Sequence, residues 1–255
     1  MTVVCKNCET HFKGHFCRNC GQSADTHDVN LYYFWHEIQH GILHFDSGLF
    51  YTIKQLFKRP GHTIREFIDG KRIKHFKPIA FLFLLSTIYG LLDHFFKLEH
   101  SDAVQIYESD SDLLSKNIAE NFKNILNWMN AHYAYVPLLQ LPVTALASYL
   151  AFSAFRKSKI NYLKHVILNA YITGQITVIL LILMPVFILG SSGVKEFSKQ
   201  IQTAITALFI VWTYIQFFNT NSSFKNIVLL ALAYIYWGVI ILLTAIAFVA
   251  VQLFF

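Results

Sequence analysis

Long apolar runs fill the chain from about Lys77 onward, and polar or amphipathic stretches fill what precedes them. Each apolar run reaches the length of about 20 residues that a bilayer-crossing helix needs. They cover Pro78 to about Phe96, His132 to Phe155, about Tyr162 to Leu189, Ile201 to Phe218, and about Ile227 to Phe255. Polar connectors are expected between them, including Ser191 to Gln200. Upstream, residues 31–45 place Leu31, Phe34, Trp35, Ile38, Ile42 and Phe45 at helical spacing on one face. A second amphipathic helix is predicted from about Leu49 to Lys58, ending at Arg59-Pro60-Gly61, and a third from about Thr63 to Phe67. The expected architecture is an all-α polytopic membrane protein. It has a small unit at 1–24, amphipathic interfacial helices at 25–77, and a five-helix transmembrane domain at 78–255.

Composition agrees with that pattern. Of 255 residues, 55% are hydrophobic and only 14% charged, where a soluble domain carries about a quarter. The net charge of +6 therefore bears on orientation before it bears on nucleic acid, which is not expected as a partner. Residues 1–78 hold eleven Lys and Arg, and the connector after the second span carries Arg156, Lys157, Lys159 and Lys164. The connector at 98–131 is acidic instead, with Glu99, Asp102, Glu108, Asp110, Asp112 and Glu120. Basic loops stay on the cytoplasmic side, so the N-terminus is expected inside and the C-terminus outside a bacterial inner membrane. No cleavable signal peptide is expected.

The cysteines carry the clearest chemistry. They form two hooks, Cys5-x-x-Cys8 and Cys17-x-x-Cys20, with eight residues between. Two such hooks suit a tetrahedral four-thiolate site for one structural Zn2+. Gly21, directly after the second hook, suits the sharp turn that a hook needs. Two disulfides are the alternative, which a reducing cytosol disfavours.

A second pattern is ambiguous. His36-Glu37-Ile38-Gln39-His40 has the H-E-x-x-H form, which on a helix aims two imidazoles at one zinc and leaves Glu37 as general base. His44 follows one turn on, but three ligands from one straight helix do not readily surround a metal. The favoured reading is a polar face on an interfacial helix. A structural or regulatory metal held by His36, His40 and His44 is one alternative, and a catalytic zinc is the other. The basic residues Arg59, Arg65, Lys71, Arg72, Lys74 and Lys77 are expected to meet anionic lipid headgroups. Inside the spans, Asn169, Thr173 and Thr177 share one face of the third, with Gln175 nearby and Gln140, Thr206, Thr213 and Gln216 elsewhere. Interhelical hydrogen bonding is the first reading of these groups and a solute path the second. No charged side chain lies near the middle of a span, which counts against an ion-coupled carrier.

Three stretches, CKNCETHFKGHFCRNCGQ, HFDSGLFYTIKQLFKRPGHTIREFIDGKR and HFKPIAFLFL, resemble an uncharacterised bacterial membrane family, domain of unknown function 3667. The resemblance spans roughly residues 5–92 and implies a ribbon in front of several membrane helices, with no activity attached. Five spans behind a cytosolic N-terminus are also similar in topology to the Yip family of membrane trafficking proteins. The expected role is a non-enzymatic scaffold or adaptor whose ribbon docks a cytosolic protein. A membrane zinc metalloprotease using His36, Glu37 and His40 is one alternative, and a small-solute or lipid-handling protein is another. A homo-oligomer is compatible with all three.

Overall fold

The computed structural model describes residues 2–26, 29–30, 48–96, 120–121, 123–125, 127–129, 132, 135–154, 160–218 and 222–254. The helix predicted over 31–45, with His36, Glu37, His40 and His44, lies outside the described residues. A small hairpin opens the chain, with β1 (Val3–Val4) antiparallel to β2 (His11–Phe12). Then follow α1 (Gly48–Lys58), α2 (Pro60–Ile68), α3 (Pro78–Phe96), α4 (Val136–Ala154), α5 (Tyr162–Leu189), α6 (Ser192–Phe218) and α7 (Ser223–Phe254).

The helices α3 to α7 are long and apolar enough to cross a membrane, so the five predicted spans are all present. The ends differ most at the fourth. Residues 192–200, expected as a connector, form the first turns of α6 instead. They contain no proline, and the backbone is already turning at Ser191, whose carbonyl accepts from Lys195 N at 2.9 Å. At 27 residues, α6 is about 40 Å long, beyond the roughly 30 Å hydrocarbon core. Its polar start is thus more than a crossing needs.

The middle helix of the bundle is α5, packed against α3, α4 and α6. It is apolar on all sides, as a helix surrounded by neighbours requires. Gly174 lets α3 approach it, since a Cβ there would stand 2.5 Å from the Phe81 ring. By contrast α7 lies on α4 and α6 and leaves Ile235, Leu242 and Leu243 exposed, a surface suited to lipid.

The α1–α2 pair caps one end of this bundle. Arg59 breaks the two helices apart with φ −155° and ψ 63°, because a residue before proline avoids the helical region. Pro60 starts α2, where its missing N–H is no loss. Thus Pro60 opens the third amphipathic helix as well as closing the second, and α2 begins three residues earlier than periodicity predicts. Gly61 permits the tightest contact of the cap, since a Cβ there would overlap the backbone of Gln216 and Phe217 at the end of α6. Gly61 N donates to Gln216 Oε1 at 3.2 Å. Leu56, Ile64, Phe67 and Phe76 join Tyr171, Phe217 and Phe218 in one buried cluster. Two buried polar links close the cap: Tyr171 Oη donates to Phe76 O at 2.6 Å, and Phe76 N donates to Thr52 Oγ1 at 2.8 Å.

Candidate metal centre and its seat on the cap

The sequence repeats itself at the cysteines, as Cys5-Lys6-Asn7-Cys8 and Cys17-Arg18-Asn19-Cys20, and the backbone repeats with it. In each hook the residue after the second cysteine donates back to the first: Glu9 N to Cys5 O at 2.8 Å, and Gly21 N to Cys17 O at 2.9 Å. The first cysteine then donates five residues forward: Cys5 N to Thr10 O at 3.0 Å, and Cys17 N to Gln22 O at 2.8 Å. Both turns need a left-handed residue, and Glu9 (φ 60°) and Gly21 (φ 77°) fill the matching positions. Glycine adopts that conformation freely, and glutamate does so at a cost of about 1 kcal/mol.

These two turns aim four sulfurs at one point. All four Sγ atoms lie within 4.8 Å of one another. Cys5 and Cys20 are 3.5 Å apart, as are Cys8 and Cys17, and all four thiols are free. A disulfide requires about 2.05 Å, so the geometry is that of a ligand set. Metal–sulfur bonds of about 2.3 Å in a tetrahedron give sulfur edges near 3.8 Å. The observed spread brackets that value, and the donor set fits a metal ion. Burial pushes the Cys5 thiol up to about 11, whereas the hydrogen bond with the Thr10 hydroxyl holds Cys8 down at about 6. A dication at the centre would favour the thiolate at all four positions.

The unit does not hang free. Gln22, buried in the loop after the second hook, reaches the turn that follows α2. Its Nε2 donates to Gly70 O at 2.9 Å, and its Oε1 accepts from Arg72 N at 3.0 Å and Ile73 N at 3.3 Å. Gly70 has φ 103°, and a Cβ there would meet the Lys6 side chain at 2.6 Å. Further along, Asn161 Nδ2 donates to Val29 O at 3.0 Å and ties the lead-in to the start of α5. Nothing in the sequence pattern marked Gln22 as a latch. The only available signal was its place next to Gly21, one step beyond the second hook.

The predicted headgroup contacts divide into two groups. Arg59 forms a two-pronged pair with Glu66 at 2.9 and 3.0 Å and also donates to Gln55. Arg65 donates to the carbonyls of Gln216 and Phe217, which the helix end leaves without partners. Arg72 donates to Phe67 O and lies over the Phe67 ring. Lys74 is exposed, and Lys71 and Lys77 are half-exposed. On the same cap Phe50 is 81% exposed and Phe57 41%, a second apolar face of α1 that the sequence reading passed over. Between the four-cysteine unit and the cap lies a cleft of about 480 Å3, lined in part by Asn7, Asn19, Arg59, Lys71, Lys74 and His75. Burial lowers the pKa of His75, with the Glu66 carboxylate at 3.9 Å opposing it.

Among the polar groups of the spans, Thr177 and Thr213 bond back to their own helices, at Thr173 O and Phe209 O. Asn169 instead links three helices. It donates to Ser148 Oγ at 3.0 Å and accepts from Tyr214 Oη at 3.2 Å.

The segment that builds the cap can now be placed among known proteins. Residues 46–90 match the protein family of unknown function DUF3667. The resemblance read from the sequence is borne out over that stretch. The DUF3667 segment contains α1, α2, the Gln22-binding turn and the first part of α3. It is thus the seat of the four-cysteine unit and the entry to the bundle. No curated protein and no solved structure matches the chain, so the topological similarity to the Yip family has no such match behind it.

Proposed function

We propose that this protein is a membrane scaffold that presents a zinc ribbon to a cytosolic partner. It would sit in a bacterial inner membrane with its N-terminus and cap on the cytoplasmic side, and its metal would be one structural Zn2+ per chain. The observation that carries this reading is the Gln22 latch: a ribbon pinned to the cap by three hydrogen bonds has a fixed orientation. A flexible tether would have none. Four thiolates with tetrahedral spacing and no exchangeable position suit a structural zinc rather than a reacting one.

The exposed segment around the second hook suits an acidic partner. It exposes His11, Lys13, His15, Phe16 and Arg18, with Phe16 66% exposed, and residues 10–24 contain no carboxylate side chain. Lys71, Lys74 and Lys77 would meet anionic headgroups, with Phe50 and Phe57 entering the interface beside them. A photoreactive residue at Phe16 in the full chain tests the partner. Specific protein adducts should form in cells. They should vanish with Lys13→Glu and Arg18→Glu together, and persist with Lys54→Glu on the cap. Adducts indifferent to the ribbon charges would refute the reading.

A further inference from the structure

The cleft of about 480 Å3 between the four-cysteine unit and the cap has two unlike walls. One wall is the pair of hooks. Asn7 and Asn19 hold the same place in the two repeats, just before the second cysteine of each, and both line the cleft. The other wall is the cap and the turn after α2. It contributes Tyr51, the Arg59–Glu66 pair, Ile73 and His75, and also Lys71 and Lys74. The space holds roughly sixteen waters, more than a bare phosphate fills.

Part of this lining is already engaged. Arg59 and Glu66 hold each other in a two-pronged pair and cancel in charge. His75 is buried, with its ring edge-on to those of Tyr51 and Phe67, so it builds wall. Cys8 and Cys20 belong to the metal set, and their thiolate charge would keep an anion on the lysine side. The open groups are the two lysines, the two amides and the Tyr51 hydroxyl. Lys71 is half-exposed and Lys74 exposed, and neither meets a carboxylate among the described residues. The half-exposed side-chain amide of Asn7 and the Tyr51 hydroxyl have no hydrogen-bond partner among those residues either. Asn19 Nδ2 makes one long bond, to Thr10 Oγ1 at 3.4 Å.

We propose that this cleft binds a phosphate monoester, whose oxygens accept from Lys71 and Lys74 on one wall and from Asn7 and Asn19 on the other. A monoester carries about two negative charges at neutral pH, which the two unpaired lysines match. Hydrogen bonds to such an anion are charge-assisted and strong. The carbon body of the ester has Ile73, 46% exposed, and the Tyr51 ring to lie against. Phosphatidic acid in the bilayer and a soluble sugar or nucleotide monophosphate present this same group. Because the ligand bridges the four-cysteine unit and the cap, its binding and the docking of the unit strengthen each other by the same factor. The proposal goes beyond the scaffold reading and does not depend on it. It needs the docked unit but no protein partner, and it sets Lys71 and Lys74 apart from Lys77, which is outside the cleft lining.

The test uses the full chain in phosphatidylcholine nanodiscs and reads hydrogen exchange at Arg72 and Ile73, whose amides donate to Gln22 and open when the unit lifts off. Two probes are offered in turn, glycerol 3-phosphate in solution and phosphatidic acid added to the nanodisc. At about ten times its dissociation constant, a probe that binds should raise protection of both amides about elevenfold. Protection by phosphatidic acid alone assigns the group to the membrane, and protection by glycerol 3-phosphate assigns it to a soluble ester. Glycerophosphocholine, a diester, should protect neither amide. Lys71→Gln with Lys74→Gln should remove the effect, Asn7→Leu should weaken binding about tenfold, and Lys77→Gln should leave it unchanged. Metal content and parental exchange without probe show that the variants fold. No protection by either probe, equal protection by glycerophosphocholine, protection that survives the double lysine change, or its loss in Lys77→Gln would overturn the proposal. No protein partner enters this readout, so its failure is distinct from a failure of the Phe16 adducts.

Discussion

Replacing Gln22 by Leu should release the four-cysteine unit from the cap without loss of the metal proposed for it. The leucine has similar bulk but neither donates nor accepts. Three hydrogen bonds disappear, one to Gly70 O and two from Arg72 N and Ile73 N. Gln22 is only 3% exposed, so its partners are partly shielded from water. At about 1 kcal/mol net for each bond, docking should weaken by about 3 kcal/mol, or roughly 150-fold. The four cysteines are untouched, and the hook turns close through backbone groups, including the carbonyl of residue 22, which any residue supplies. Hydrogen exchange of the full chain in detergent reads the effect directly. The amides of Arg72 and Ile73 should exchange on the order of a hundredfold faster, while metal content stays at one per chain. Unchanged protection at both amides would show that Gln22 is not the latch. Loss of metal together with protection would show that the ribbon and its seat fold as one unit, contrary to the argument.

The other expectations concern the cap, the metal, pH and orientation. Gly61→Ala forces a Cβ into the backbone of α6 and should destabilise the cap by about 3 kcal/mol, seen as a lowered thermal midpoint in detergent. An unchanged midpoint would mean that α2 does not rest on α6. Cys5→Ser with Cys17→Ser removes two of four ligands and should abolish zinc in the purified protein and expose residues 2–26 to protease, with the spans still inserted. Unchanged zinc in that variant would remove the ribbon assignment. His75 has a folded pKa below its ordinary value of 6.5, so its neutral burial costs nothing above that pH. As pH falls through 6.5 the unfolded chain takes up the proton first and stability declines, and His75→Phe should flatten that part of the profile. A profile identical to the parent's would exclude His75 as a source. An impermeant thiol reagent should reach a cysteine placed at Asp110 and not one placed at Lys157, and the reverse would invert the orientation.

Much of this protein is legible along the chain, because its strongest signals are local. A span is declared by about 20 apolar residues wherever it packs, and α3 and α5 fall at the residues read from sequence. A C-x-x-C hook is equally self-contained, since both sulfurs come from one turn, and Glu9 and Gly21 complete the two turns at matching positions. The start of α6 was misplaced because hydropathy marks where a helix enters lipid and is silent on the polar turns before it. Pro60 was read as a stop, although proline also suits the first position of the next helix, and only the neighbouring α6 explains why Gly61 follows it, since a Cβ there would overlap the α6 backbone. The arginines show the limit most plainly. Their charges suggest headgroups, yet Glu66 holds Arg59 and the open carbonyls of α6 hold Arg65, partners seven and more than one hundred and fifty residues away. Gln22 shows the same limit, since its place next to Gly21 says nothing of its partners. A glutamine becomes a latch only through what the tertiary fold sets against it, here three backbone groups more than forty residues away in sequence.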